Sequence, residues 1–149
     1  MRTQSVVTIA AALAFCALPA VARAQPGCSP LPAPSGVVVD VMPSQVTSLQ
    51  SIIDRAQPGD TIQLLDGVYQ LPQTLVFRTP GVTLRSKSGN RLGVVLDGRY
   101  EIGDLLLVQR SDVTIADLTL TRSYWHLVHV VPGAGSSSGT MLHNLRGVD

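Results

Sequence analysis

A short phrase, valine then threonine then an aliphatic residue, returns along the second half of this chain and constrains its fold more than any other feature. It reads Gly81-Val82-Thr83-Leu84 in one place and Asp112-Val113-Thr114-Ile115 in another, so Val82 to Val113 is a step of 31 positions. Each copy is followed by a second aliphatic run, Val94-Val95-Leu96-Asp97-Gly98 after the first and Leu118-Thr119-Leu120 after the second. Short β-rich segments returning at steps of about 20 to 30 residues mark a solenoid, in which each coil buries its inner face only by stacking on its neighbours. Alternation within the phrase puts Thr83, Thr114 and Thr119 outside and the branched side chains inside.

Strand-like runs fall at residues 75–77, 82–85, 94–96, 105–108, 113–115, 118–120, 127–131 and 141–145. They lay out as coils of three. Leu75-Val76-Phe77, Val82-Thr83-Leu84 and Val94-Val95-Leu96 make one coil, and Leu106-Leu107-Val108, Val113-Thr114-Ile115 and Leu118-Thr119-Leu120 make the next. Uneven coil length is tolerated because loops bulge outward while strands keep a spacing of about 4.8 Å. A two-sheet sandwich also uses many short strands. It would not readily explain the same phrase returning a coil later.

Upstream, Leu49, Ile52, Ile53 and Ala56 form the single apolar stripe of an amphipathic helix, with Thr47 and Gln50 spaced for a capping box and Pro58-Gly59 as the stop. Its apolar face needs a partner, and the open end of the first coil is the obvious one. Asp60-Thr61-Ile62-Gln63-Leu64 then alternates as a strand, Asp66-Gly67 makes a turn, and Tyr69 lies beyond it.

Residues 1–24 read as a signal peptide: Arg2 for the positive end, an apolar stretch over 6–18 too short to span a bilayer, and Ala22-Arg23-Ala24 as the cleavage site. The expected product is secreted or periplasmic, with no membrane span after cleavage. Two arginines leave with the leader, so 11 basic residues become 9 against 10 acidic ones and the net charge moves from +1 to −1. No basic stripe remains to attract nucleic acid. Cys16 leaves too, and the single remaining Cys28 can form no internal disulfide. Residues 25–45 form a proline-rich linker with a possible edge strand over 37–41, and residues 46–149 hold the helix and coils.

The segment 49–69, with Ala56-Gln57-Pro58-Gly59-Asp60-Thr61-Ile62 and Asp66-Gly67-Val68-Tyr69, resembles the opening of right-handed parallel β-helix proteins of the pectate-lyase-like superfamily. Gly81-Val82-Thr83-Leu84-Arg85-Ser86 and Ser111-Asp112-Val113-Thr114-Ile115 look like their coil repeats, and the similarity runs over residues 49–149. The resemblance implies an all-β fold, a right-handed parallel β-helix of about three to four coils with an N-terminal capping helix. It also implies polysaccharide lyases and C5-epimerases as relatives, an acidic polysaccharide as ligand, bound along an outer sheet face, and calcium as a possible cofactor. No catalytic motif of those enzymes matches residue by residue, so the catalytic residues stay unknown. The expected chain is C-terminally incomplete: the full-length protein is expected to bind or process an acidic polysaccharide, with a non-catalytic glycan-binding or surface solenoid, or an inactive truncated fragment, as the alternatives.

Lyase or epimerase chemistry removes a proton α to a uronate carboxylate and needs a base and a cationic group. Lys87, the only lysine, sits among turn formers and reads as solvated. Asp97, Glu101, Asp104, Asp112 and Asp117 repeat no calcium-loop spacing, and Asp97-Gly98 reads as a turn. His126 and His129 are an odd number of positions apart, which on a regular strand puts them on opposite faces, so they can jointly hold one metal only if the strand bends, and no metal site is expected. Tyr124, Trp125 and His126 are the candidate substrate-binding residues, a sugar platform set against the simpler role of a corner packed over the coil edge. Pro132-Gly133-Ala134-Gly135-Ser136-Ser137-Ser138-Gly139 is a flexible loop without the lysine of a phosphate loop.

Overall fold

Parallel pairing is the only kind of strand pairing in the described residues, 29–133 and 135–148 of a computed structural model. Residues 1–24, where a leader is expected, and both cysteines lie outside those residues. The chain opens with β1 (Val38–Val41), a 3-10 helix (Pro43–Ser48) and α1 (Leu49–Arg55). A first circuit follows as β2 (Thr61–Leu64), β3 (Gly67–Gln70) and β4 (Leu75–Phe77), and a second as β5 (Thr83–Ser86), β6 (Val94–Asp97) and β7 (Asp104–Val108). The third is β8 (Thr114–Ala116), β9 (Thr119–Thr121) and β10 (His126–Val130), and β11 (Met141–His143) and β12 (Arg146–Val148) begin a fourth.

Each circuit places one strand in each of three sheets, ordered β1-β2-β5-β8-β11, β3-β6-β9-β12 and β4-β7-β10. Such cyclic order is compatible with the expected solenoid. The repeated phrase is the register itself: Thr83 pairs with Thr114 and Leu84 with Ile115. Leu75 likewise pairs with Leu106, and Leu96 with Leu120.

Because parallel strands in register point equivalent side chains the same way, the inward residues form columns. Ile62, Leu84 and Ile115 make one, Tyr69, Leu96 and Leu120 a second, and Phe77 and Val108 a third, all buried in one core. Full burial of each such side chain contributes about 1.5–3 kcal/mol. The first column runs on to Leu142 on the edge strand β11, where exposure rises to 50% because nothing described lies beyond it.

The helix lies against β4 at the start of the third sheet, burying Leu49 and Ile53. Its start differs from expectation. Thr47 and Gln50 form no capping box, because the helix is entered through the 3-10 segment with Ser48 as N-cap, and Gln50 instead bonds the β4 backbone. Gln45 accepts a hydrogen bond from the Met42 N–H, so the reciprocal cap forms at the 3-10 segment.

Two strands escaped the sequence reading. β3 begins at Gly67 itself, where a turn was expected, and the run at 141–145 splits into β11 and β12 at Asn144, whose φ of 48° is left-handed. Asn144 stands on its circuit where Asp117 stands on the previous one, also left-handed, and its Nδ2 donates to Asp117 Oδ1 at 2.8 Å. Asp and Asn tolerate that conformation best after glycine. Of the three threonines placed outside, Thr119 is covered: its hydroxyl donates to the Arg91 carbonyl at 2.7 Å under the loop of residues 87–93.

The proline-rich residues 31–35 run beside the outer face of the first sheet, where Arg85 Nη1 donates to the Pro32 carbonyl at 3.1 Å. Together with Thr83 and Thr114 they line a groove of about 340 Å³. Among the described residues no helix is long and apolar enough to cross a membrane.

Candidate functional site

Where the second sheet hands the chain to the third, two successive circuits stack their turns. The Tyr124 N–H donates to the Ile102 carbonyl at 2.9 Å, the Trp125 N–H to Gly103 at 2.8 Å, and the Tyr100 N–H to Arg122 at 2.7 Å. These backbone bonds fix the corner. Gly103 lies under the indole of Trp125, and any Cβ there would come within 2.6 Å of the ring. The six-membered ring of Trp125 therefore packs close to the Gly103 backbone while the residue stays 70% exposed, and Tyr124 beside it is 69% exposed, with ring centroids 5.9 Å apart at 64°.

The same corner carries charge. Arg122 makes a two-point contact with the buried Asp97, Nε to Oδ1 at 2.8 Å and Nη2 to Oδ2, and the Arg99 N–H donates to Asp97 Oδ1 at 2.9 Å. The Arg122 hydrogen bond outweighs the cost of burial and holds the Asp97 carboxyl below its ordinary value. Arg99 pairs with Glu101 at 2.6 Å.

His126 and His129 reach the same carboxylate, which corrects their placement on opposite faces. His126 Nδ1 lies 2.7 Å from Asp104 Oδ1, and His129 Nδ1 lies 2.9 Å from Asp104 Oδ2. The cause is a break in alternation on two neighbouring strands. On β7 the consecutive residues Leu105 and Leu106 are both buried, so Asp104 and Leu107 both turn outward. On β10 the consecutive Leu127 and Val128 both pack on the core, and the register pairs His126 with Asp104 and His129 with Leu107. Two inward residues in a row return positions i and i+3 to one face.

Partial burial pushes the Asp104 carboxyl upward, but the hydrogen bonds from His129 and His126 together win and hold it below the ordinary value. The two imidazoles sit 4.6 Å apart between centroids, tilted by 41°. Each has its Nδ1 engaged by the carboxylate. This is the geometry that orients a histidine for work at Nε2.

The remaining candidates separate. Lys87 is ion-paired with Asp40 of β1, half exposed. Asp117 is taken by Arg85 and Asn144, and Glu101 by Arg99, so the acidic residues 97, 101, 104, 112 and 117 do not converge on one point. His143 lies on β11, in a different sheet from His126 and His129. The glycine-serine loop packs on the preceding turn, where Ser111 Oγ donates to the Ser136 carbonyl at 2.9 Å and the Asp112 N–H to Ser138 at 2.9 Å.

Set beside known proteins, the chain matches no family model, no curated protein and no solved structure.

Proposed function

We propose that this chain is an exported right-handed parallel β-helix of the pectate-lyase-like kind, and that it binds an acidic polysaccharide through the corner carrying Tyr124, Trp125 and His126. Three parallel sheets visited in cyclic order support the fold, since parallel strands joined by crossovers take the right-handed sense almost without exception. The leader over residues 1–24 supports export.

The observation that carries the binding proposal is the exposure of Tyr124 and Trp125 on a hydrogen-bonded corner. Flat aromatic faces held rigidly in water are suited to the CH faces of sugar rings, and little ordering entropy is lost on binding. Arg99 and Arg122 on the same corner are paired with Glu101 and Asp97, and their remaining guanidinium N–H groups are what a uronate carboxylate would accept from. Retention of the protein on immobilised polyuronate, compared with a neutral glucan, tests this. Trp125→Ala should weaken binding at least about tenfold without moving the melting temperature, and wild-type protein that passes through both columns alike would end the proposal.

The histidines favour a second reading, a lyase or epimerase. Asp104 holds both Nδ1 atoms, leaving the Nε2 of His126 or His129 to take the proton α to a uronate carboxylate. Unsaturated-uronate absorbance for a lyase, or exchange of the uronate C5 proton with solvent deuterium for an epimerase, that appears with wild-type protein and disappears in His126→Ala supports it, and polymer binding with neither leaves the binding solenoid.

A further inference from the structure

We infer that Asp104, His126 and His129 form a mononuclear site for a divalent transition-metal ion of the zinc type on the outer face of the third sheet. One donor atom from each of the three lies within 4.8 Å of the others, and the group is the only such convergence among the described residues. An ion bound at about 2.0–2.2 Å by nitrogen and oxygen in tetrahedral geometry needs donors separated by about 3.3 Å. The hydrogen-bonded separations, 2.7 Å from His126 to Oδ1 and 2.9 Å from His129 to Oδ2, are shorter than that and run to different oxygens, so the side chains must rearrange slightly for one ion to be held. The His126 and His129 side chains, 56% and 38% exposed, have room toward solvent for that adjustment.

The donor set decides the metal class. Two imidazole nitrogens with one carboxylate suit zinc and its first-row neighbours, whereas calcium and magnesium require a shell of oxygens. On binding, each neutral imidazole shifts its proton from Nδ1 to Nε2 and offers the Nδ1 lone pair, so no net proton is released from the neutral forms. Three protein donors leave a coordination position toward solvent, because the side chains of His126 and His129 are 56% and 38% exposed.

The rigidity comes from the fold. Asp104 and His126 are paired neighbours on β7 and β10, and the Asp104 carbonyl is fixed by the Thr74 hydroxyl at 2.6 Å. The doublets Leu105-Leu106 and Leu127-Val128 anchor both strands in the core on the far side. The metal inference stands without the polysaccharide, and a metal-loaded site would make the histidines ligands instead of bases.

Calorimetric titration of the untagged, chelator-stripped chain with zinc chloride tests it, with calcium chloride as the comparison. One equivalent of zinc should bind at micromolar concentration or tighter, calcium should give no matching saturation, and in the wild-type NMR spectrum the ring signals of His126 and His129 should shift while those of His143 stay. His126→Ala and His129→Ala should each weaken binding at least about tenfold, as loss of a ligand does, and His143→Ala should leave it unchanged. Zinc that fails to saturate below about 100 μM, or that binds equally well to the His126→Ala, His129→Ala double variant, would overturn the inference. So would a wild-type titration in which the His126 and His129 ring signals do not move.

Discussion

The side-chain amide of Gln50 does for Val76 what a neighbouring strand would do: its Oε1 accepts from the Val76 N–H at 2.8 Å and its Nε2 donates to the Val76 carbonyl at 3.0 Å. One helical residue thereby closes the outer edge of β4, the first strand of the third sheet, where unpaired backbone would otherwise face water or recruit another chain. Gln50→Ala should destabilise the protein by about 1–2 kcal/mol, read as a lower urea midpoint with unchanged slope.

Tyr69 is buried in the second column, and its hydroxyl lies 2.7 Å from the Val41 carbonyl and 2.8 Å from that of Leu65. Burial pushes its phenol up from 10.0 to about 12. A group whose folded value is raised stabilises fully below its unfolded value and loses that contribution as pH climbs toward the folded one, so the window is pH 10 to 12. Stability of the wild type should fall across that window, and Tyr69→Phe should cost about 1 kcal/mol at neutral pH while flattening the alkaline fall.

Asp97 works in the opposite direction. Its carboxyl is held below the ordinary 3.8 first by the Arg122 hydrogen bond, so its contribution is present above that value and disappears as pH drops beneath it. Asp97→Asn should lower stability at pH 7 by about 1–3 kcal/mol and give a shallower acid limb in thermal melts from pH 7 to pH 2.

Columns of inward residues predict a gradient. Leu96→Ala, in the middle of a column, should cost about 2–5 kcal/mol, whereas Leu142→Ala, half exposed on β11, should cost about 0.5 kcal/mol or less. Chemical denaturation of both variants in parallel gives the ratio.

Much of this architecture was legible because the inner columns and the repeated phrase are the same fact. Val82-Thr83-Leu84 and Val113-Thr114-Ile115 align in sequence as they pair in space. The Pro58-Gly59 stop was legible too, since Gly59 takes a φ of 94° where the chain leaves the helix for β2. The capping box was not, because a local spacing cannot show that Gln50 is claimed by a strand 26 positions away.

The histidine site failed for a related reason. Odd separation implies opposite faces only while alternation holds, and Leu105-Leu106-Leu107 and Leu127-Val128 are apolar runs in which the sequence offers no parity to read. The available signal was that both runs sit 22 positions apart, the same offset that pairs His126 with Asp104. Tyr124 and Trp125 were legible as an aromatic cluster at a turn, but their exposure depends on Gly103 supporting the indole from the previous circuit.

The central claim is that strands 22 to 31 positions apart lie parallel and side by side. Proton NOEs in a uniformly labelled sample test it most directly at Leu84 and Ile115 and at Val95 and Thr119. Parallel pairing predicts amide-to-α-proton contacts between Leu84 and Ile115, and between Val95 and Thr119 or their neighbours one position along, with no close α-to-α contacts. Strong α-to-α contacts within either pair, or contacts of Leu84 with β6 in place of β8, would contradict it.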